Sequence, residues 1–260
     1  MLDVGVNLTH EKFSKDRIEV VLRARTAGIT GMIIISSTVS DSRQSIMIAK
    51  QDTKYFWCTV GVHPHYAYTW SKESRTEICK LINEPSVVAI GECGLDFYRS
   101  FSTRKQQVYV FQEQIELAVE FSMPLFLHCR DAHQCFMSIL KPWLPNLRSV
   151  LLHCFTGTRS ELELCLEYDI SIGVTGWICD PYRGRELSKL IPLIPSNRLL
   201  IETDAPWLFP KDIQLVSAKK RNEPCFLPHI METVAKLRKD DITELSQKII
   251  NNTCNLFHLA

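Results

Sequence analysis

Short apolar runs, rich in β-branched residues, recur along the chain and are separated by stretches with a different period. Leu2 to Leu8, Met32 to Ser36, Tyr55 to Val62, Val87 to Glu92, Leu125 to His128, Val150 to His153, Ile170 to Val174 and Leu199 to Glu202 are short and nearly continuous in Val, Ile and Leu. Such runs predict parallel strands buried on both faces. Between them the apolar residues step by three and four. Lys15 to Ala27 sets Ile18, Val21, Leu22 and Ala24 at helical spacing, with Gly28 as its stop. Helices are likewise predicted over Ser40–Gln51, Glu73–Asn83, Thr103–Phe121, Ala132–Leu140, Glu161–Glu167 and Arg183–Ile191, with Pro228–Arg238 and Thr243–Phe257 closing the chain. Eight strands, each followed by a helix, predict an α/β protein of the (β/α)8 TIM-barrel type, against an open doubly wound sheet as the alternative.

Composition narrows the picture. At 260 residues, 45% hydrophobic and 23% charged, with no internal repeat and no compositional break, the chain is expected to form one globular domain over residues 1–260. Thirty basic against twenty-nine acidic residues leave a formal charge of +1, so a polyanion would have to be held by a local patch. Met1-Leu2-Asp3 does not resemble a secretory leader, and no apolar run approaches the ~18 residues of a membrane span. A cytoplasmic protein, monomeric and without an obligate protein partner, is expected. The ten cysteines show no framework spacing and are expected to be reduced and to pack as small hydrophobes.

Several strands finish on residues that a hydrophobic core does not need. His63 and His65 follow the third strand, Glu92 the fourth, His128 the fifth, His153 the sixth and Asp204 the eighth. In a barrel these ends converge on one mouth, and imidazoles with carboxylates there make a divalent-metal site. Strand alternation turns Cys93, Cys129 and Cys154 toward the helix layer if their histidine and glutamate neighbours face the axis. Gly91 and Gly94 are expected to leave room for ligand beside the backbone. The segment Ala205 to Phe226 reads as a long loop over the mouth. It carries the basic run Lys219-Lys220-Arg221, where cations can neutralise phosphate, while Phe97, Tyr98, Phe155, Trp177 and Trp207 can stack unpaired bases.

The stretches GVHPH (Gly61 to His65), VVAIGECGLDF (Val87 to Phe97), HCRDA (His128 to Ala132), HCFTG (His153 to Gly157), IGVTGW (Ile172 to Trp177), LLIETDAPWL (Leu199 to Leu208), RNEP (Arg221 to Pro224) and LPHI (Leu227 to Ile230) resemble, in order, the TatD family of metal-dependent deoxyribonucleases, within the amidohydrolase-like barrels. The resemblance implies that Glu92, His128 and His153 bind a divalent metal, that Asp204 is the catalytic carboxylate, and that His63 and His65 contact the water at the metal or the phosphate. It further implies substrate contacts from Arg130, Arg221, Asn222 and Trp207. Most of the family places His-x-His on the first strand, where this chain has Gly5-Val6-Asn7. Glu92 is therefore expected to hold one metal tightly and to recruit a second with substrate phosphate.

The activity so implied is magnesium-dependent 3′ to 5′ exonucleolytic hydrolysis of single-stranded DNA, with RNA as a further substrate, in DNA repair or degradation. Magnesium rests on the resemblance, since imidazoles suit manganese or zinc equally well. Two alternatives remain at this stage: a metal-dependent hydrolase of an amide, lactone or small phosphoester, and a nucleic-acid-binding protein with a relic metal site.

Overall fold

The computed structural model describes residues 1–214 and 221–259. Eight strands run β1 Leu2–Val6, β2 Gly31–Ile34, β3 Phe56–Val60, β4 Val87–Asp96, β5 Leu125–Arg130, β6 Val150–Leu152, β7 Ser171–Val174 and β8 Leu199–Ile201. Every neighbouring pair is parallel and the sheet order is sequential from β1 to β8. The barrel nearly closes between its first and last strands. Val6 bridges Ala205 in parallel, Asp204 N–H donates to Gly5 O at 2.8 Å, and Asn7 N–H donates to Ala205 O at 2.8 Å.

Helices α1 Arg17–Thr26, α2 Val39–Ala49, α3 Lys72–Leu81, α4 Arg104–Glu120, α5 His133–Leu140, α6 Arg159–Glu167 and α7 Gly184–Leu190 return the chain between strands, and α8 Leu227–Arg238 and α9 Ile242–Phe257 follow β8. Local chemistry starts several of them. Thr38, Ser71, Thr103, Thr158 and Asp241 each accept a backbone N–H of the first turn, meeting donors that the helix itself cannot satisfy. The main core lies between strands and helices, whereas Val4, Ile33, Ile35, Phe126, Leu151 and Leu200 fill the barrel interior. Leu256 and Phe257 of α9 join that interior cluster. Asn252 bonds Ser196 O and Leu199 O, and Ser149 donates to Leu256 O, so α9 seats against the strand starts and leaves the strand ends open.

Three expectations are corrected here. In α1 the buried residues are Val20 and Ala24 and Val21 packs partly against the core, while Ile18 and Leu22 are 74% and 57% exposed, so of the face expected from Ile18, Val21, Leu22 and Ala24 two members point outward. Strand β4 does not stop at Glu92. It irregularly shifts register between Gly91 and Cys93 and then continues, pairing Gly94 with His128 and Asp96 with Arg130. Gly91 and Gly94, at φ +147° and +136°, serve that pairing: a Cβ on either would collide with the β5 backbone at Phe126 O or His128 O. They make room for the neighbouring strand, not for a ligand.

All ten cysteines are free thiols. Cys93 lies wholly inside the strand–helix core, as alternation predicts, and Cys129 packs partly against it. Cys154 instead places its Sγ 3.5 Å from Thr175 Oγ1.

Candidate metal and catalytic centre

Glu92 sits at the convergence of three imidazoles. Its Oε1 is 2.8 Å from His128 Nδ1, 2.7 Å from His153 Nε2 and 3.3 Å from His63 Nε2. His128 Nδ1 and His153 Nε2 are themselves 3.4 Å apart. His63 is aimed by the turn that it opens: its Nδ1 accepts the His65 backbone N–H at 3.0 Å, at the start of the 3-10 turn Pro64–Thr69, which leaves Nε2 to face Glu92. Burial alone pushes the Glu92 carboxyl up. The charges of His153 and His63 and hydrogen bonds from His128 and His153 outweigh it and hold the group well below the usual carboxylate range. Burial pulls down His153, but the Glu92 and Glu202 charges reverse that and raise it well above an ordinary imidazole. His63 lacks enough such support, and burial takes it down to about 4.

Asp96, which the sequence reading passed over, organises the outer rim. Its Oδ2 lies 2.6 Å from His65 Nε2 and 3.6 Å from His128 Nε2, and its Oδ1 accepts the backbone N–H groups of Tyr98 and Arg99 at 2.9 and 2.8 Å. Burial opposes its charge, yet the nearby His128 imidazole and the hydrogen bond from His65 hold its carboxyl far below the usual range. Spacing was the available signal. Asp96 stands four residues after Glu92, an even step that repeats a strand face, had β4 been carried past Glu92.

Beneath His153 lies a second unforeseen carboxylate. Glu202 is fully buried, accepts the Cys154 N–H at 2.7 Å and stands 3.5 Å from His153 Nδ1. Gly5 makes room for it, since a Cβ there would collide with Glu202 Oε2. Asp3, also fully buried, accepts Thr203 Oγ1–H at 2.6 Å and Thr203 N–H at 2.9 Å, which holds the chain just before Asp204. A charged residue inside an apolar strand, in LDVGV and LLIET, was the signal for both.

Asp204 takes up a left-handed backbone conformation, φ +53°, and its Oδ1 accepts Asn7 Nδ2–H at 3.0 Å. Burial raises its carboxyl to about 7; the His153 charge opposes this, and the Glu92 and Glu202 charges reinforce it. Asn7, read from sequence as a missing ligand, thus serves the carboxylate.

The donor set fits a divalent cation. Among the described residues, His63, Glu92 and His128 offer ligand atoms within 4.8 Å of one another. His153 stands against the same Glu92 oxygen. The buried atoms His128 Nε2, His153 Nδ1 and Glu202 Oε2 have no hydrogen-bond partner among those residues. His63, expected to contact water or phosphate, faces the same Glu92 oxygen through Nε2, and His65 Nε2 lies against Asp96. A second grouping, Cys179, Asp212 and His229, lies away from this centre, where His229 Nε2 is 2.8 Å from Asp212 Oδ1.

The expected substrate residues divide. Arg130, at the end of β5, and Trp207, 44% exposed, border the mouth. The Arg221 guanidinium is engaged by both Asp16 oxygens, by Glu223 and by Lys12 O. Asn222 is fully buried, and its amide donates to Thr203 O and Leu208 O. These two fasten the loop that carries Asp204. Lys219 and Lys220 lie outside the described residues.

Residues 2–258 match the family model of TatD-related DNases. A relative from Erwinia amylovora, named 3′-5′ ssDNA/RNA exonuclease TatD, is 56% identical over 259 residues, covering 100% of each chain. A relative of the same name from a Pantoea species is 52% identical over 260 residues, again covering 100% of each. Among solved structures, a TatD-family hydrolase from Entamoeba histolytica superposes with a TM-score of 0.90 at 26% identity, over 99% of this chain and 97% of its own. A TatD homologue from Escherichia coli K12 does so with a TM-score of 0.89 at 26% identity, over 100% and 98%.

Proposed function

Because the chain belongs to the TatD-related DNase family, we propose that it is a metal-dependent phosphodiester hydrolase that trims single-stranded DNA and RNA from the 3′ end. The observation that carries this reading is the single Glu92 oxygen ringed by His63, His128 and His153. Glu92, His128 and His153 would hold the cation. Magnesium is the proposed ion, with manganese and zinc as the competing ones. Such a cation, when bound, polarises a phosphoryl oxygen and makes water a better nucleophile.

The chain's own residues supply the remainder. Asp204 takes the proton from the attacking water. Asn7 occupies Oδ1 of that carboxylate and so leaves Oδ2 to meet the water. As water oxygen bonds to phosphorus and the ester oxygen departs, His63 and His65 stabilise charge on the phosphate and the leaving oxygen. His65 is fixed for this by Asp96. Arg130 and Trp207 hold the substrate at the rim, and Arg221 and Asn222 keep the Asp204 loop in place.

The protein is proposed to work as a single-domain cytoplasmic monomer in DNA repair or degradation. Among the described residues no helix is long and apolar enough to cross a membrane. The test is digestion of 5′-labelled single strands with magnesium, manganese or zinc. A ladder shortening from the 3′ end, abolished by chelator, is expected. No cleavage with any of the three ions, or shortening from the 5′ end, would overturn the proposal.

A further inference from the structure

Six of the seven exposed aromatic side chains among the described residues sit on loops at the barrel mouth. Such rings are costly to leave in water, and their gathering on one rim points to a ligand with flat faces. Two of the mouth loops build an alternating stack. The Arg130 guanidinium lies 4.9 Å from the Tyr98 ring centroid and 5.2 Å from that of Trp177, and Arg183 lies 5.3 Å from Trp177.

These guanidiniums are open. Among the described residues Arg130 donates no side-chain hydrogen bond, and its nearest carboxylate is Asp131 at 3.7 Å. Arg183 stands 4.0 Å from Asp180, which Lys211 already engages at 2.7 Å. Arg221, with its donors filled by Asp16 and Glu223, shows what a structural arginine looks like in the same molecule. The stack is also coupled to the centre. The Tyr98 N–H bonds the same Asp96 that holds His65, and the Trp177 indole is fixed by Nε1–H donation to Arg183 O at 3.0 Å.

We propose that Tyr98, Arg130, Trp177 and Arg183 form a track that carries a single strand away from the scissile phosphate, its bases stacking on the exposed Tyr98 ring and on the guanidinium planes that Trp177 supports, and its phosphates neutralised by the two guanidiniums. The proposal rests on the nuclease reading and deepens it. An exonuclease holds the terminal nucleotide in its mouth, so the rest of the strand must leave across a rim, and this one offers an exposed ring and unfilled cationic donors together. Stacking of this kind accepts any base and excludes paired ones, so the track favours single strands irrespective of sequence.

The test uses the metal-loaded enzyme and compares initial cleavage of thymidine oligonucleotides of two, four and eight residues. Wild-type kcat/KM is expected to rise with length. Tyr98→Ala and Arg183→Gln, both at side chains more than half exposed, should keep the wild-type melting temperature. They should raise KM for the octamer about tenfold, leave its kcat within about twofold, and flatten the rise with length. Arg183→Gln should also lower the slope of log(kcat/KM) against log salt by about 0.7, the loss of one phosphate contact. Trp177→Phe keeps a ring and should retain most of the length dependence that Trp177→Ala loses. A wild-type length and salt profile in the Tyr98→Ala/Arg183→Gln double variant would overturn the track and leave the nuclease reading intact. Absence of strand cleavage by the wild type would overturn both.

Discussion

Replacing Asp204 with asparagine should make the metal-free protein more stable while removing its activity. Burial, reinforced by the Glu92 and Glu202 charges, lifts this carboxyl from the usual 3.8 to about 7. In the unfolded chain it ionises near 3.8, so between that pH and about 7 the folded state carries a proton that the unfolded state has lost. The stability contributed by Asp204 is fully present below pH 4 and is lost as pH rises to about 7. A shift of three units corresponds to about 4 kcal/mol at the upper limit. Asparagine has no such dependence, and its amide oxygen can still accept from Asn7. At about 2 °C per kcal/mol for a chain of this size, and with relaxation around the charge taken to halve the cost, Asp204→Asn should melt about 4–8 °C above wild type at pH 8. The gain should shrink toward pH 5. Scanning calorimetry in chelator at pH 5, 6, 7 and 8 measures it. An Asp204→Asn advantage that is absent, or that does not grow from pH 5 to 8, would refute the burial argument. With metal restored, the same variant should lose about 10²–10⁴-fold in kcat, the usual contribution of a positioned base.

Glu92→Gln should lower turnover by about a thousandfold or more, because several kcal/mol of cation chemistry go with the ligand; isothermal titration should show weakened divalent binding, and wild-type turnover would remove Glu92 from the centre. Asp96→Asn should cost about 10–100-fold in kcat or metal affinity by releasing His65 and His128, a loss that steady-state kinetics and metal titration would detect. Gly5→Ala should destabilise the fold by about 1–3 kcal/mol through its collision with Glu202, seen as a lower denaturation midpoint; an unchanged midpoint would mean that Glu202 can move aside.

The barrel was legible because its signal is repeated eight times. Strands buried on both faces must be apolar throughout, so MIII or LFL announces itself without any partner. Helix faces are less exposed to inspection. The α1 stripe of Ile18, Val21, Leu22 and Ala24 has acceptable spacing, but the small Ala24 and the unforeseen Val20 are what the barrel wall admits while Ile18 and Leu22 stay outside, and a pattern of hydrophobicity does not record the space available. Glu92 was visible as a carboxylate that no core requires. Its position was misread because the register shift at Gly91–Cys93 is a property of two paired strands, and that same misreading hid Asp96.

What lay beyond reach was satisfaction: which polar groups already have partners. Arg130 and Arg221 are equivalent letters in basic, loop-bordering contexts. Only the arrangement of Asp16 and Glu223, residues far apart in the chain, spends the Arg221 donors, while Arg130 keeps its own between two rings. Asn7 makes the same point at the centre. Judged alone on the first strand it is a poor metal ligand, and its amide looks like a lost function. Placed 3.0 Å from Asp204 by the closure of β1 onto the segment after β8, that amide fixes one oxygen of a carboxylate whose other oxygen the chemistry needs. The first strand therefore meets the proposed base through the Asn7 amide, a contact created by barrel closure and absent from the strand's own sequence.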